Sequence, residues 1–285
     1  MKTKNLTKQI VEAAVMVALG TVLSLFKLVE MPYGGSVTPA SMLPILIVSY
    51  RHGLGTGVMA GVVYSAIQQL LGLNNLSFFT TWYSVVAVIL IDYVIAFTVV
   101  GLGGITKGKL GIKNASFPTK QKIEIATGMA FACVLRFVCH TVCGATVWAG
   151  LSIPTSAALI YSIGYNATYM IPETIISVLI GAWIGEMIDF SKSIPVRFAA
   201  ADYSKTSNST GACEFLPHIS SFLLVFAACF DTVLIAPHMQ DEASGAFTFA
   251  NLGDVNWILI LAVSGACLLA SLILHIIRRR LIKTV

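Results

Sequence analysis

TWYSVVAVILIDYVIAFTVVGL, residues 81–102, contains one formal charge, at Asp92. At 1.5 Å rise per residue a helix of this length measures about 33 Å, close to the ~30 Å thickness of a bilayer's apolar layer. Seven further apolar runs flank it: about Thr7 to Leu28, Pro39 to Tyr50, Leu54 to Leu71, Ile123 to Trp148, Ala157 to Ile188, Leu216 to Pro237 and Val255 to Ile277. The 285 residues are 56% hydrophobic and 11% charged, against roughly a quarter charged in a soluble domain. A water-facing surface cannot be built from that composition. The fold class expected is an all-α integral membrane protein with eight spans. The second run is short and contains Pro44, so it is expected to be tilted, broken or partly re-entrant where backbone lines a cavity.

The net charge of +5 marks topology and requires no nucleic-acid partner. With a cytoplasmic N-terminus, the inner side receives Lys2, Lys4, Lys8, Arg51, the lysines from Lys107 to Lys122, then Lys192, Arg197 and Lys205, and finally Arg278 to Lys283. The outer loops receive no basic residue. Only Lys27, at an outer helix end, and Arg136, within a span, stay unassigned. The positive-inside rule then places both termini in the cytoplasm, in a multi-pass protein of the cell membrane. No small-residue cleavage site follows the first apolar run, which reads as a span and not as a signal peptide. The six cysteines lie mostly in apolar runs and imply no disulfide.

After Asp189 the composition turns polar. Residues 191–215 read as a cytoplasmic linker dividing a six-helix core, 1–190, from a C-terminal transmembrane hairpin, 216–285. The hairpin's outer loop carries Asp241, Glu242 and Asp254, and no internal repeat is visible.

An ionisable side chain at a helix centre costs roughly 2.5–3.5 kcal/mol to insert, so each invites a functional reading. Asp92 lies midway along its span, with Tyr93 beside it; the bland alternative is an acid paired with Arg136. In VLRFVCHTVCGATVWAG, residues 134–150, His140, Gly144 and Trp148 recur every four residues on one helical face, leaving a slot between two rings. A glycine packing seam with an interfacial tryptophan is the plainer explanation. The next span opens SAALIYSIGYNATYMIPE, residues 156–173, with Tyr161, Tyr165, Asn166 and Tyr169 within about two turns. Pro172 is expected to kink it, and Glu173 reads as structural. All these groups fall in the outer half or at mid-depth, which describes a capture pocket for a flat, hydrogen-bonding, cationic solute.

Two patterns carry nothing. Gly103, Gly108 and Lys109 imitate a phosphate-binding loop, but Leu110 stands where Ser or Thr is required and no strand precedes it. Cys139, His140 and Cys143 imitate a metal set without a second cluster, so no metal is expected. Asp231 and His238 are isolated polar residues without a reading.

The stretches MPYGGSVTPASMLPILIVSYRHG (31–53), DYVIAFTVVGLGG (92–104), RFVCHTVCGATVW (136–148) and YSIGYNATYMIPE (161–173) resemble the signatures of the thiamine-specific S component of energy-coupling-factor transporters, over about residues 7 to 190. The resemblance implies a six-helix S component that binds thiamine on its outer side and works with a transmembrane coupling protein and two cytoplasmic ATPases. It implies that Asp92 meets the aminopyrimidine with Tyr93 following it in the binding set, that His140, Gly144 and Trp148 form the ring-binding face, and that Tyr161 and Asn166 hydrogen-bond the ligand while Tyr64 lines the pocket. It further implies a lid from Glu30 to Val37 containing Gly34, Gly35 and Ser36, and an AxxxA contact with the coupling protein at Ala14 and Ala18. Thiamine would be cargo; no cofactor and no catalytic residue is implied. The hairpin departs from the six-helix pattern. Two other classes compete: a self-sufficient proton-coupled transporter relaying through Asp92 and Glu173, and a membrane enzyme using Asp92 and His140, which lacks a nucleophile motif.

Overall fold

The computed structural model describes residues 2–31, 33–113, 115–149, 151, 155–198, 212–241 and 247–283. Helix α1 (Lys2–Leu25) leads into a two-stranded antiparallel hairpin, β1 (Val29–Glu30) and β2 (Ser36–Val37), then α2 (Leu43–His52) and α3 (Leu54–Leu71). The fourth span, Trp82–Thr106, begins as α4 (Trp82–Val88), widens into a π-helical stretch at Ile89–Ile95, returns to α5 (Ala96–Thr98) and tightens to a 3₁₀ helix at Val99–Thr106. Helices α6 (Phe117–Thr146) and α7 (Ala158–Met187) complete the core, and α8 (Ala212–Ile235) and α9 (Trp257–Lys283) form the C-terminal hairpin.

Among the described residues seven helices, not eight, are long and apolar enough to cross a membrane. The exception is α2, whose ten residues rise only about 15 Å. The chain still returns across the bundle. Arg51, at the end of α2, pairs with Glu12 in the first half of α1 and donates to the Phe190 carbonyl at 2.6 Å. The first half of the return is made by the β-hairpin and the irregular stretch before Leu43, the second by α2. Eight residues of α2, Leu43 to Tyr50, are buried, so it is the central post around which α1, α3, the fourth span and α6 are arranged. The short, proline-bearing run thus behaves as a half-span.

Glycines let backbones meet beside that post. A Cβ on Gly57 would lie 2.7 Å from the Gly101 carbonyl oxygen, and one on Gly128 would lie 2.2 Å from that of Gly103. Small residues at such contacts substitute close packing for the hydrophobic effect, which lipid cannot supply between helices. The resulting core contains Ile45, Leu46, Val48, Tyr64, Val100, Ile125 and Met129.

Apart from Lys27 and Arg136, basic residues among those described meet at one end. There Lys122 bonds Glu186 at 2.6 Å, Arg278 of α9 approaches the same carboxylate at 3.5 Å, and Lys8 donates to the Ser193 carbonyl. The expected core boundary is not a sharp one. A second small hairpin, β3 (Ile188–Asp189) with β4 (Val196–Arg197), extends past it and buries Phe190 and Phe198. Linker residues 199–211 lie outside the described residues, as does Glu242.

The C-terminal hairpin packs on α7. Asp231, unreadable in the sequence, accepts a hydrogen bond from Ser264 Oγ at 2.6 Å, and Ser220 meets Ser271 at 2.6 Å, so α8 and α9 are stitched together. Trp183 Nε1 of α7 donates to His218 Nδ1 at 3.2 Å. Cys133, Cys139, Cys143, Cys229 and Cys267 are free thiols.

Candidate ligand-binding site

At the end opposite the basic residues, a cavity of about 360 Å³ opens among α3, the fourth span, α6, α7 and the β1–β2 hairpin. One wall is set by a four-residue repeat that runs along α6 and just past its end, to Trp148. Arg136, His140, Gly144 and Trp148 all line it, extending the expected face one turn deeper. Across from them stand Asp92 and Tyr93. They sit in the π-helical stretch, a local widening that recurs at functional sites and that a hydrophobicity pattern does not reveal.

Asp92 is held from two sides. His140 Nδ1 lies 2.9 Å from Asp92 Oδ1, and Trp148 Nε1 donates to Asp92 Oδ2 at 3.0 Å. Arg136 Nε donates to His140 Nε2 at 3.2 Å. An imidazole accepting at Nε2 carries its proton on Nδ1, so it donates to the carboxylate. One lone pair on each Asp92 oxygen is thereby used, and a carboxylate offers about four. Phe79 packs edge-on against Trp148 at 4.6 Å between ring centroids, fixing the indole.

The floor is a buried ion pair. Arg136 Nη1 donates to Glu173 Oε2 at 2.5 Å, Thr38 Oγ1 donates to Glu173 Oε1 at 2.7 Å, and Arg136 stacks over Phe97 at 4.6 Å. Arg136 therefore pairs with Glu173, and the alternative of an Asp92–Arg136 pair is excluded by this geometry. Glu173 holds this buried ion pair and also lines the cavity. The sequence does carry a signal for it: Asn166, Tyr169 and Glu173 fall at i, i+3 and i+7 of α7, and all three face inward. Tyr169 Oη donates to Asn166 Oδ1 at 2.6 Å, and the Asn166 amide donates to the Ser162 carbonyl at 2.9 Å.

The roof is the segment from Glu30 to Val37. Gly34 and Gly35 have φ of +87° and +90°, where a side chain is strained, and a Cβ on Gly35 would lie 2.8 Å from Tyr169 Cε1. Tyr165 Oη donates to the Gly34 carbonyl at 3.0 Å. Ser36 lines the cavity beside the two glycines, and Lys27 pairs with Glu30 at its rim at 2.5 Å.

Two residues named from the resemblance stand elsewhere. Tyr64 lies behind the wall, fully buried and edge-on to Phe97 at 5.6 Å. Phe97, one layer nearer, occupies the lining position. Tyr161 turns toward the C-terminal hairpin, accepting the Phe247 backbone N–H at 2.6 Å. Gln68, Asn75, Thr38 and Ser41 line the cavity without having been singled out, since isolated polar residues give no periodic signal. Ala14 and Ala18 are exposed on α1. Among the described residues no group of three or more His, Cys, Asp or Glu is placed to hold a metal ion.

Residues 10–189 match the family described as Thiamine transporter protein. The chain is 31% identical to the Bacillus subtilis (strain 168) thiamine transporter ThiT over 187 residues, covering 62% of this chain and 91% of that one. It is 23% identical to the thiamine transporter ThiT of Lacticaseibacillus paracasei over 180 residues, 61% of this chain and 79% of that one. A solved structure of ThiT from Listeria monocytogenes superimposes with a TM-score of 0.51 at 20% identity, covering 64% of this chain and 95% of that one, a likeness of fold. The family match ends at residue 189, before the hairpin. The all-helical, multi-pass architecture and the matched family agree on a transport protein and not an enzyme, and this chain belongs to the thiamine transporter protein family.

Proposed function

We propose that the protein captures thiamine from outside the cell and delivers it inward as the substrate-binding membrane subunit of an energy-coupling-factor transporter. The observation that carries this reading is Asp92. Of the three carboxylates lining the cavity, Glu30 is paired with Lys27 and Glu173 with Arg136, so only Asp92 has no cationic Lys or Arg partner. It is presented by His140 and Trp148 beside the aromatic rings. An aminopyrimidine offers N–H donors to such a carboxylate, and the thiazolium cation gains about 0.5–2 kcal/mol over an aromatic face. Tyr93 and Asn166 add polar contacts, with Gly144 leaving room for a flat ring. Tyr64 supports the wall from behind, and Tyr161 acts through the elements it touches.

The lining cations speak to the form of the cargo. Arg136 and Lys27 are both engaged by carboxylates, leaving neither free for a phosphate, which favours thiamine over its phosphorylated forms. The segment Glu30–Val37, with Gly34, Gly35 and Ser36, serves as the lid. The exposed small residues Ala14 and Ala18 leave α1 open to close approach by the coupling protein, and the hairpin on α7 does not cover them. Gathering of basic residues at the opposite end supports cytoplasmic termini and a cavity facing outward. A proton relay through Glu173 is disfavoured, because its carboxylate is locked by Arg136 and Thr38.

Titration of the detergent-purified protein with thiamine, its phosphates and its pyrimidine half, followed by tryptophan fluorescence, tests the ligand. Quenching by thiamine, lost in Asp92→Ala, is expected; indifference to thiamine with a response to another vitamin would change the cargo. Uptake into liposomes that requires the coupling protein and ATPases tests the coupling. A pH gradient sufficing alone would favour the autonomous transporter.

A further inference from the structure

The C-terminal hairpin reaches the roof of the cavity. The described parts of the connector between α8 and α9, residues 236–241 and 247–256, meet the β1–β2 segment and α7, and the Gln240 side-chain amide donates to the Met31 sulfur; both residues are buried. Ala236, at the start of the connector, joins Met31 and Val37 in one apolar cluster with Tyr169. Gln240 forms a bridge with Phe247, and Asn251 Nδ2 donates to the Gln240 carbonyl at 3.0 Å, which closes the connector on itself.

Phe247 anchors this assembly. Its ring meets Tyr161 edge-on at 6.1 Å, its N–H bonds the Tyr161 hydroxyl at 2.6 Å, and it lies over Gly164, where a Cβ would come within 2.7 Å of the ring. Glycine inside a helix costs about 1 kcal/mol relative to alanine, and the seat it makes for Phe247 gives that position a packing purpose. One turn of α7 therefore holds both partners: Tyr161 and Gly164 grip the connector, while Tyr165 binds the Gly34 carbonyl of the roof.

We propose that the connector is a latch on the lid, with Phe247 and Gln240 as positioning residues that set how often the lid opens and so how long a ligand is retained. This rests on the reading of the Glu30–Val37 segment as a lid, and the ligand's identity is separable from it. Removing either residue leaves the cavity wall intact. The lid loses its outer support and opens more often, while the route in is unchanged.

The test is amide hydrogen exchange on the ligand-free full-length protein, comparing the parent with Phe247→Ala, Gln240→Ala and Gly164→Ala, the last displacing the ring without removing it. The readout is the Leu28, Met31 and Gly34 amides, bonded respectively to Val37, Gly35 and Met31. An aromatic contact and a hydrogen bond together correspond to about tenfold faster lid exchange, with α3 and α6 amides unchanged as the internal measure of folding. Lid exchange equal to the parent's in all three variants overturns the latch. Faster lid exchange in variants that still bind thiamine, now with about tenfold faster dissociation, supports both readings. Faster lid exchange in a protein that never binds thiamine supports the latch and removes thiamine as the cargo.

Discussion

The floor and the roof of the cavity are built in opposite ways. At the floor, Arg136, Glu173 and Thr38 form a buried, mutually bonded set with Phe97 stacked on the guanidinium. At the roof, the chain turns on two glycines in left-handed conformations, and one side-chain hydrogen bond, from Tyr165, reaches that turn from α7. A charged floor cannot loosen without stranding an ion in an apolar interior, so it fixes shape. A glycine roof held by separable contacts carries no such constraint. On the proposed reading of the Glu30–Val37 segment as a lid, recognition, which needs rigidity, is kept apart from access, which needs a low barrier.

The comparison is most strongly tested at the floor. Glu173→Ala leaves the Arg136 charge buried and unpaired, a loss expected to cost about 3–5 kcal/mol of stability, read as a lower thermal unfolding midpoint in detergent. An unchanged midpoint would mean that the floor is not structural. Asp92→Ala removes the carboxylate that His140 and Trp148 orient, and thiamine affinity is expected to fall about a hundredfold, near 3 kcal/mol. Its unfolding midpoint should stay close to the parent's, because the two stranded donors border the cavity and are not sealed into packed apolar core.

At the roof the effects shrink and change character. Gly35→Ala forces a side chain into a φ of +90° and against Tyr169, a strain of about 1–2 kcal/mol, expected as roughly tenfold weaker thiamine binding with little change in melting. Tyr165→Phe deletes one hydrogen bond worth about 0.5–1.5 kcal/mol. Ligand dissociation measured by chase should quicken several-fold while association holds. Equal losses of stability from roof and floor substitutions would erase the distinction.

How much of this the sequence carries depends on the range of the interaction. The row at His140, Gly144 and Trp148 is legible because four-residue spacing places side chains on one helical face before any partner is known, whereas Arg136, one turn deeper, joins it only in the structure. The choice of Glu173 as the partner of Arg136, 37 residues away, is a tertiary fact, and Asp92 was an equally charged candidate. Tyr161 illustrates the same limit. Its spacing matches that of Tyr165, yet Phe247 of the hairpin claims it. Tyr64 differs again: the resemblance that names it does not tell the first layer of a wall from the second. Pro44 and the short run around it did announce an irregular span, whereas the π-helical stretch at Asp92 left no mark in the hydropathy.

Ten residues of α2 rise only about 15 Å, and Thr38, Ser41 and Met42 immediately before it meet the cavity floor. The electrostatic self-energy of a cation in an apolar slab is steepest toward the slab's middle, and an ion of ammonium size faces an idealised cost of order 20 kcal/mol there. A cation resting near the head of α2 has already climbed that hill in the company of protein dipoles, with no helix displaced. What separates it from the far side is a plug one short helix thick.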